Sequence, residues 1–426
     1  MTTPETILSE LIRCKTVFCE QGKPFPKDEF TKLHEVIAQR FPLVHSVLER
    51  EVTDGFTLIY RWKGGEGKPV LFMAHQDVVP ASESGWKYPP FSGKIADGFV
   101  WGRGAFDMKC QLVAILQAAE VLIAQGFTPN RDVYLCFTHN EEAPDETGAK
   151  AAAKLLEEKG IRFAFAIDEG GYAFYGREFG MKKDGIFISL CEKGYADIEI
   201  EALDAGGHAS TPNKDTALVR VCRAIAAIER NPPKPYKNPA TTQLLSATKR
   251  SIPRCKGCGL VRRMSSNPAT DALIRSTIAP TMIIASNAPN VLPSEVKANL
   301  NVRLLPGQTP EAVLAYCERT AKRTGVNMRL VKANNATKIS RTSGYDYEKI
   351  KRALESALPN HLPVPGIMTG ATDSRYFSGI CDDIYRISPF ACAKEVRDAM
   401  HGVNERISIK SLYEGISFFK TLIESF

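Results

Sequence analysis

Short apolar segments alternate with amphipathic helical segments along the N-terminal part of the chain, and this order constrains the fold more than any other feature. The pattern predicts strands over residues 56–62, 69–74, 132–138 and 163–167. It predicts helices over residues 5–12, 28–39, 108–124 and 147–159. Strands that alternate with helices are typical of a sheet with parallel strands and helices on both faces. We therefore expect an α/β fold with a central mixed, largely parallel sheet.

The pattern changes after residue 185. The next residues predict a strand or hairpin, a helix, two strands, a helix and a last strand, over 186–203, 217–229, 280–286, 296–305, 309–323 and 326–333. This β–α–β–β–α–β order is typical of a small antiparallel, ferredoxin-like sheet with two helices. Helix–strand alternation resumes near residue 345, and 426 residues exceed the usual size of a single core. We therefore expect an α+β domain, residues 189–338, inserted into an α/β domain formed by residues 1–188 and 339–426.

The net charge of +7 is concentrated in one segment. Residues 230–275 contain ten Lys or Arg against one acid, a charge of +9, which leaves −2 for the rest of the chain. A nucleic-acid-binding protein would usually combine a basic face with a recognition motif. Because this charge is confined to one segment rich in Pro and Ser, we expect a solvated insertion and no nucleic-acid partner. A separate hypothesis is that the segment attracts acidic substrates or an anionic partner.

Membrane and secretory signals are not visible in the sequence. No stretch approaches the roughly 20 apolar residues that span a bilayer, and residues 1–12 lack the pattern of a secretory signal. We therefore expect a cytoplasmic protein without a membrane partner. Most of the 11 cysteines lie singly in apolar or helical stretches, where we expect buried thiols. Cys255 and Cys258 form a CxxC, but no second pair nearby completes a four-ligand zinc site, so a metal or redox role is the less favoured alternative.

Polar residues follow the predicted strands, where ligands of open α/β sheets bind. His75 and Asp77 come directly after the strand over 69–74. Residues two apart in an extended chain point the same way, so Asp77 is expected to accept the His75 ring N–H that does not face a metal. Asp107 lies between a glycine-containing turn and a helix. On this motif alone, capping of the helix is favoured over a role as metal ligand.

The next strand ends before Glu141 and Glu142, whose side chains are expected to point in opposite directions. One carboxylate can then bind a metal while its neighbour faces the substrate as a general base. Asp168 follows the strand over 163–167, and His401 lies in a loop before the last helix. Two imidazoles and three or four carboxylates would supply ligands for two ions about 3.5–4 Å apart, with a hydroxide between them. Mixed nitrogen and oxygen ligands fit two Zn²⁺, with Co²⁺ or Mn²⁺ as alternatives.

The ordered motifs of this chain resemble those of the M20 metallopeptidase family. They are HQDVVP, GRGAFDMK, the Glu-Glu pair, IDEGG, GGHAST, NVLPSEV with VRLLPG, GATDSR and MHGVNE, and they extend from about His75 to Glu405. The family includes carboxypeptidase S-like enzymes, glutamate carboxypeptidases, aminoacylases, acetylornithine deacetylase and succinyl-diaminopimelate desuccinylase. The resemblance implies a phosphorylase/hydrolase-like catalytic domain with an inserted lid or dimerisation domain, and homodimers through that domain as one option.

Carried over residue by residue, the resemblance implies a metal role for Asp107 and so reverses the preference for a cap. Asp107 would bridge two ions, of which one is completed by His75 and Asp168 and the other by Glu142 and His401. The resemblance further implies three catalytic residues: a general base, Glu141, an orienting carboxylate, Asp77, and a histidine that stabilises the oxyanion, His208. It implies three substrate-binding residues: Asn290, Arg303 and Gly370. An arginine at this position suits a substrate with a free carboxylate.

The implied function is metal-dependent hydrolysis of the amide bond of a small peptide or N-acyl amino acid that has a free carboxylate. A bridging hydroxide between the two ions would attack the carbonyl, with Glu141 as the general base. A biosynthetic deacylase acting on acetylornithine or a succinylated diamine is the alternative within the enzyme class. A non-catalytic binding protein on the same fold is the alternative outside it, but it predicts a missing ligand or base, and none is missing.

Overall fold

The chain divides into two compact units in the computed structural model, which describes residues 2–18, 24–143, 146–252 and 259–426. The first unit contains Met1–Leu190, Ser340–Gly366 and Thr372–Phe426. The second unit contains Cys191–Ile339 and Ile367–Ala371. Cys255 and Cys258 of the CxxC lie outside the described residues.

Six helices and eight strands lie in the described residues of the first part of this unit, and the last strand extends just into the second unit. The helices are α1 (Pro4–Ile12), α2 (Lys27–Arg40), α3 (Pro42–Val47), α4 (Lys109–Ala124), α5 (Thr147–Glu158) and α6 (Gly176–Phe179). The strands are β1 (Glu49–Thr53), β2 (Thr57–His75), β3 (Lys94–Ala96), β4 (Phe99–Trp101), β5 (Arg131–Thr138), β6 (Phe163–Asp168), β7 (Ala173–Phe174) and β8 (Asp184–Glu192).

The second unit follows with six strands and five helices in its described residues. The strands are β9 (Gly194–Leu203), β10 (Gly207–His208), β11 (Thr277–Ile284), β12 (Val291–Leu292), β13 (Glu295–Leu304) and β14 (Asn327–Asn334). The helices are α7 (Ala217–Arg230), α8 (Pro239–Ser251), α9 (Leu260–Met264), α10 (Pro268–Asp271) and α11 (Pro310–Thr320).

The chain then returns to the first unit. This part contains α12 (Tyr345–Ala357), β15 (His361–Met368), a 3₁₀ helix (Asp373–Gly379), β16 (Cys381–Arg386), α13 (Lys394–Arg397), β17 (Arg406–Ser408) and α14 (Ile409–Glu424). No helix among the described ranges is both long enough and apolar enough to cross a bilayer.

The main sheet of the first unit has eight strands in the order β1-β2-β6-β16-β8-β15, with β5 paired to β2 and β7 paired to β8. Strand β6 pairs in parallel with both β2 and β16. Strands β1 and β8 add antiparallel partners, to β2 and β16 respectively. The sheet is therefore mixed with a parallel centre, and the predicted α/β fold is confirmed.

Strand β2 includes both strands predicted over 56–62 and 69–74. Residues 58–62 pair with β5 from Phe137 back to Val133, whereas residues 70–75 pair from Val133 forward to Thr138. Strand β5 therefore lies between the two halves of β2. The predicted break was wrong because the glycines at 64, 65 and 67 let the extended chain pass close to residues 129–131: a Cβ on Gly64 would lie 2.3 Å from the Arg131 carbonyl oxygen.

The second unit is a four-stranded antiparallel sheet in the order β11-β13-β9-β14. One face of this sheet packs against α7 and α11 through apolar residues of alternate strand positions, such as Ile198, Ile200, Leu300 and Val302. Both helices have threonine caps: Thr216 accepts the Val219 N–H and Thr309 accepts the Ala312 N–H. The strand and helix order confirms the predicted ferredoxin-like α+β unit, and the basic segment adds α8, α9 and α10 between α7 and β11.

Candidate metal centre

Three parallel segments bring polar residues to one edge of the main sheet. Strand β2 ends at His75, which pairs with Thr138 at the end of β5, and the neighbouring β6 ends at Asp168. Parallel strands end at the same edge, where the residues that follow them meet. The loop after β5 carries Glu141 and Glu142, so the geometry of the strands places these carboxylates beside His75.

Asp107 lies between two imidazoles. Its Oδ1 is 3.1 Å from Nε2 of His75, and its Oδ2 is 2.9 Å from Nε2 of His401. The following helix, α4, has Met108 at its N-cap position and no side-chain cap. The local prediction that Asp107 caps this helix was therefore wrong. The turn before it requires glycine at Gly104, where φ is +82° and a Cβ would lie 2.6 Å from Val78.

Three groups of residues surround Asp107, and the groups share members. Within each group the donor atoms lie within 4.8 Å of one another. The groups are His75 with Asp107 and Glu169, His75 with Glu141 and Glu142, and Asp107 with Glu142 and His401. Oε1 of Glu142 lies 3.1 Å from Nε2 of His401. Two imidazoles and four carboxylates therefore form one continuous cluster in the first unit.

Glu169 is a member of this cluster that the sequence analysis did not single out. Its Oε1 lies 3.7 Å from Nε2 of His75. The neighbouring Asp168 is also buried, but its Oδ2 accepts the Ser374 N–H at 2.9 Å, and it belongs to none of the donor groups among the described residues. An acidic residue at the end of β6 predicted a metal ligand at this point of the chain. The sequence did not show which of the two adjacent carboxylates, Asp168 or Glu169, faces His75.

Asp77 connects the ends of β2 and β5. Its buried carboxylate accepts the backbone N–H groups of Glu141 at 3.1 Å and Glu142 at 3.0 Å. Its main-chain oxygen lies 3.0 Å from Nδ1 of His75, nearer than its carboxylate Oδ1 at 3.6 Å. A carbonyl oxygen can only accept, so His75 donates from Nδ1, which leaves Nε2 as the ring nitrogen directed at the cluster.

Glu405 fixes the backbone that carries Asp107, and sequence reasoning did not assign it this part. The side chain is fully buried, and its Oε1 accepts the N–H groups of Phe106 and Asp107 at 2.9 and 3.0 Å. Its Oε2 accepts from the buried guanidinium of Arg103 at 2.5 Å. A buried carboxylate with charged and amide donors on both oxygens holds the turn in one geometry.

Burial and mutual repulsion act on the carboxylates of the cluster. Burial, with the charge of a neighbouring acid, raises the pKa of Glu141 and of Glu169 well above the usual value. The hydrogen bonds that His401 donates to the carboxylates of Asp107 and Glu142 raise its pKa to about 10. Burial opposes the charge on Asp107, but hydrogen bonds from His401 and His75 outweigh it and lower the pKa of this carboxyl.

These electrostatics fit divalent cations. Four carboxylates face two imidazoles, so with all four carboxylates ionised the cluster has an excess of negative charge even when both histidines are protonated. An excess of buried negative charge is costly unless cations neutralise it. The donors are imidazole nitrogens and carboxylate oxygens, a set that suits Zn²⁺ and also Co²⁺ or Mn²⁺.

In the second unit, a two-stranded ribbon brings together two of the predicted residues. Strands β10 and β12 pair with His208 opposite Val291, and the Ala209 N–H donates to the Asn290 carbonyl at 3.0 Å. His208 is exposed, and its Nδ1 lies 2.7 Å from Oγ of Ser210. The ribbon therefore fixes His208 and Asn290 on adjacent chain segments.

Arg303 lies on β13, opposite Tyr195 of β9. Its guanidinium carbon is 5.0 Å from the centre of the Tyr195 ring, and its Nε donates to Asn301 at 3.4 Å. The Tyr195 ring supports the guanidinium through a cation–π contact. The terminal nitrogens of the guanidinium form no ion pair with a described residue. Gly370 belongs to the short segment Ile367–Ala371 of the same unit.

Comparison with known sequences gives one consistent family. The model of peptidase family M20/M25/M40 matches residues 71–425. The chain is 32% identical to a probable carboxypeptidase S-like 2 of Dictyostelium discoideum, over 98% of this chain and 84% of that protein. It is 31% identical to the N-fatty-acyl-amino acid synthase/hydrolase PM20D1 of Mus musculus, over 92% and 81%. It is 28% identical to carboxypeptidase S of Saccharomyces cerevisiae, over 96% and 82%.

Solved structures of the same architecture cover almost the whole chain. An M20 family metallo-carboxypeptidase, Sso-CP2 of Sulfolobus solfataricus, superposes with a TM-score of 0.71 at 18% identity, over 100% of this chain and 99% of that one. Human carnosine dipeptidase 1 superposes with a TM-score of 0.64 at 16% identity, over 99% and 96%. At these identities the likeness shows the fold.

Proposed function

Because the chain belongs to peptidase family M20/M25/M40, a family of metal-dependent hydrolases, we propose that it cuts the amide bond of a small peptide or N-acyl amino acid with a free carboxylate. One observation carries the proposal. The two carboxylate oxygens of Asp107 face the imidazoles of His75 and His401, with Glu141 and Glu142 in the same cluster. This arrangement suits two adjacent cation positions that share one carboxylate.

The relatives support the substrate class. Two of them bear the name carboxypeptidase S or carboxypeptidase S-like, and a third is named for N-fatty-acyl amino acids. A peptide cut at its C-terminal bond and an N-acyl amino acid share one feature, an amide next to a residue with a free carboxylate. Arg303, supported by Tyr195 and without an anionic partner among the described residues, suits that carboxylate.

Two ions are proposed, with Asp107 between them. His75 and Asp168 would hold one ion, with the closer Glu169 as the competing carboxylate, and Glu142 and His401 would hold the other. Such ions, when bound, polarise the scissile carbonyl and make a water molecule more acidic. Zn²⁺ is the proposed metal, with Co²⁺ or Mn²⁺ as alternatives.

The chain's own residues would move the proton. Glu141 would accept it from the attacking water and deliver it to the leaving amine. Its buried position and raised pKa suit a carboxylate that must hold a proton for part of the cycle. Asp77 would keep Glu141 and Glu142 in place through their N–H groups. Asn290 and Gly370 would contact the substrate backbone, and His208 would donate to its carbonyl oxygen.

The test combines metal analysis with a substrate panel. The purified protein is analysed for bound metal, then assayed before and after chelation with dipeptides, N-acyl amino acids and their C-terminally amidated counterparts. We expect about two equivalents of metal, turnover that chelation abolishes and zinc restores, and weak turnover of the amidated compounds. A metal-free protein with undiminished turnover would sink the proposal.

The panel also separates the alternatives. Turnover restricted to acetylornithine or a succinylated diamine would identify a biosynthetic deacylase. Metal binding without turnover of any compound would favour a binding protein on the same fold.

The cytoplasm is the proposed location. Cys14, Cys110 and Cys136 are buried thiols, as expected for a reducing compartment. A fluorescent fusion found in a vacuole or outside the cell would overturn this assignment.

A further inference from the structure

Ser210 contacts one nitrogen of His208 twice. Its backbone N lies 3.1 Å from Nδ1 of His208, and its Oγ lies 2.7 Å from the same atom. The other ring nitrogen, Nε2, has no hydrogen-bond partner among the described residues. The two nitrogens of this imidazole therefore differ in what surrounds them.

The backbone contact determines where the ring proton is. A backbone N–H can only donate, so Nδ1 must present its lone pair to Ser210. A neutral imidazole has one protonated nitrogen, and the proton must then be on Nε2. A hydroxyl can donate or accept a hydrogen bond. Because Nδ1 presents its lone pair, the Ser210 hydroxyl is a second donor to it. Both contacts favour one tautomer.

The surrounding turn holds this geometry. The Thr211 N–H donates to the His208 carbonyl at 3.2 Å, and the Ala209 N–H donates to Asn290 at 3.0 Å. The ladder pairs Gly207 with Leu292 and His208 with Val291. Main-chain bonds on both sides of His208 therefore fix the backbone on which Ser210 reaches the ring.

We propose that Ser210 fixes the neutral His208 imidazole in the tautomer protonated on Nε2, so that His208 acts in hydrolysis as a hydrogen-bond donor and keeps its proton. This inference rests on the proposed function and specifies how His208 serves it. Negative charge develops on the carbonyl oxygen in the transition state, and a donor already in position stabilises it. The Nδ1 lone pair is occupied by Ser210, so His208 does not compete with Glu141 as a base. Ser210 is a positioning residue.

The first test is spectroscopic. The metal-loaded protein is labelled with ¹⁵N-histidine, and the His208 signals are assigned by their absence in His208→Gln. We expect the neutral ring to have a protonated Nε2 and an unprotonated, hydrogen-bonded Nδ1. A protonated Nδ1 in the neutral ring would overturn the proposal. This result does not depend on turnover, so it stays interpretable if the substrate panel shows no activity and the proposed function fails.

The second test uses two amides that mimic the two ring nitrogens. The side-chain nitrogen of glutamine falls where Nε2 was, whereas that of asparagine falls near Nδ1. We expect His208→Gln to keep kcat within about tenfold of the wild type and His208→Asn to lower it about 10²-fold, as for loss of an oxyanion donor. Equal kcat values for the two variants would refute the donor role of Nε2.

The third test concerns the Ser210 hydroxyl. Ser210→Ala removes it, and Ser210→Thr keeps it. We expect the alanine variant to lower kcat about fivefold, the effect of one neutral hydrogen bond, with little change in KM and a shifted Nδ1 resonance. The threonine variant should match the wild type in kcat, in KM and in the Nδ1 resonance. An alanine variant with wild-type kcat and an unshifted Nδ1 resonance would remove Ser210 from the proposal.

Discussion

Glu141 and its neighbour Glu142 differ in what their carboxylates contact. Glu142 lies 3.1 Å from the His401 imidazole and shares a donor group with Asp107. Glu141 joins only the group around His75, and burial raises its pKa well above the usual value, with the charge of Glu169 as the next cause. These surroundings suit a metal ligand at 142 and a proton carrier at 141.

We expect Glu141→Ala to keep its metal and to lose about 10²–10⁴-fold in kcat, the usual contribution of a general base. The matched variant Glu142→Ala should lose metal as well as activity, because it removes a donor. Metal content by elemental analysis and kcat on the best substrate of the panel distinguish the two. Full activity of Glu141→Ala would show that another group moves the proton.

At this scale the sequence predicted which residue types meet, and the family assignment is confirmed. It did not predict their contacts. Asp107 has the local pattern of a helix cap, and only His401, from the far end of the chain, turns it into a partner of two imidazoles. The choice between Asp168 and Glu169 depends on how the backbone turns after β6, which no local pattern determines.

The turn between β4 and α4 depends on one buried ion pair. Glu405 accepts the N–H groups of Phe106 and Asp107, and Arg103 neutralises it. Both side chains of the pair are at most 3% exposed. The position of Asp107 therefore depends on a residue in the loop before β17, four residues after His401.

We expect Glu405→Gln to lower metal affinity about 10–100-fold, the usual effect of removing a group that orients a ligand. It should also lower the free energy of unfolding of the metal-free protein by about 3 kcal/mol, because Arg103 remains buried without its anion. Titration against a competing chelator measures the first effect, and urea unfolding measures the second. Unchanged affinity in a destabilised variant would make Glu405 a residue of the fold alone.

Strand β11 is an edge of the second unit's sheet and exposes three consecutive apolar side chains. Met282, Ile283 and Ile284 are 60%, 50% and 60% exposed. Exposed apolar edges are sites where another chain can add its own strand. We propose that a homodimer through this unit, the option implied by the family resemblance, would use this edge.

We expect Ile283→Lys to shift the protein from dimer to monomer in light scattering at micromolar concentration. Val331→Lys, on the opposite edge strand β14 and 59% exposed in the wild type, is the matched control and should leave the mass unchanged. A monomeric wild type would contradict the proposed homodimer.

In both units, the sequence predicts some secondary-structure elements better than others. Strands and helices with clear periodicity fall near their predicted positions, as do the capped helices α7 and α11. Residues 63–68 separate the two predicted strands, because glycine and lysine are poor strand formers. They extend β2 because β5 lies between its two halves, a long-range arrangement that local propensity does not contain.

The stability of the whole molecule should decrease at acidic pH because of His34. Burial lowers the pKa of His34 to about 4, and its Nε2 lies 2.7 Å from the Gln76 oxygen. The ordinary value of about 6.5 applies to the unfolded chain, so the unfolded state binds more protons between pH 6.5 and 4. The free energy of unfolding therefore falls as the pH decreases through this range and is unaffected by His34 above it.

We expect this effect to cost about 2 kcal/mol between pH 7.5 and 5 in the metal-free protein. His34→Gln keeps a donor for Gln76 but does not titrate, so its loss of stability over the same range should be smaller by that amount. Urea unfolding at the two pH values measures both proteins. Equal acid sensitivity would show that His34 is not the responsible group.

The basic segment gives the molecule an uneven charge. Lys249 and Arg250 of α8 and Arg262 and Arg263 of α9 are exposed and form no ion pair with another described residue. Fields of this kind raise the association rate of anionic ligands and are screened by salt. The proposal to test is that the segment attracts acidic substrates.

We expect replacement of these four cations by Glu to lower kcat/KM for acidic substrates about tenfold at low salt, and to have no effect at high salt or on neutral substrates. A control with Arg319 of α11 and Lys322, two residues beyond the end of this helix, replaced by Glu adds negative charge elsewhere in the same unit. If the two variants show the same salt dependence, the segment has no specific role in attraction.

The bonds of Asp77 have a consequence for the order of events in biosynthesis. This residue joins the end of β2 to N–H groups 64 and 65 positions later, and two further donors of the cluster, Glu169 and His401, come from still later parts of the chain. A ribosome must therefore release nearly the whole polypeptide before the proposed position that contains His401 can form. We expect metal to be captured at that proposed position after folding, so that cells starved of zinc accumulate a folded, metal-free protein that zinc can still load.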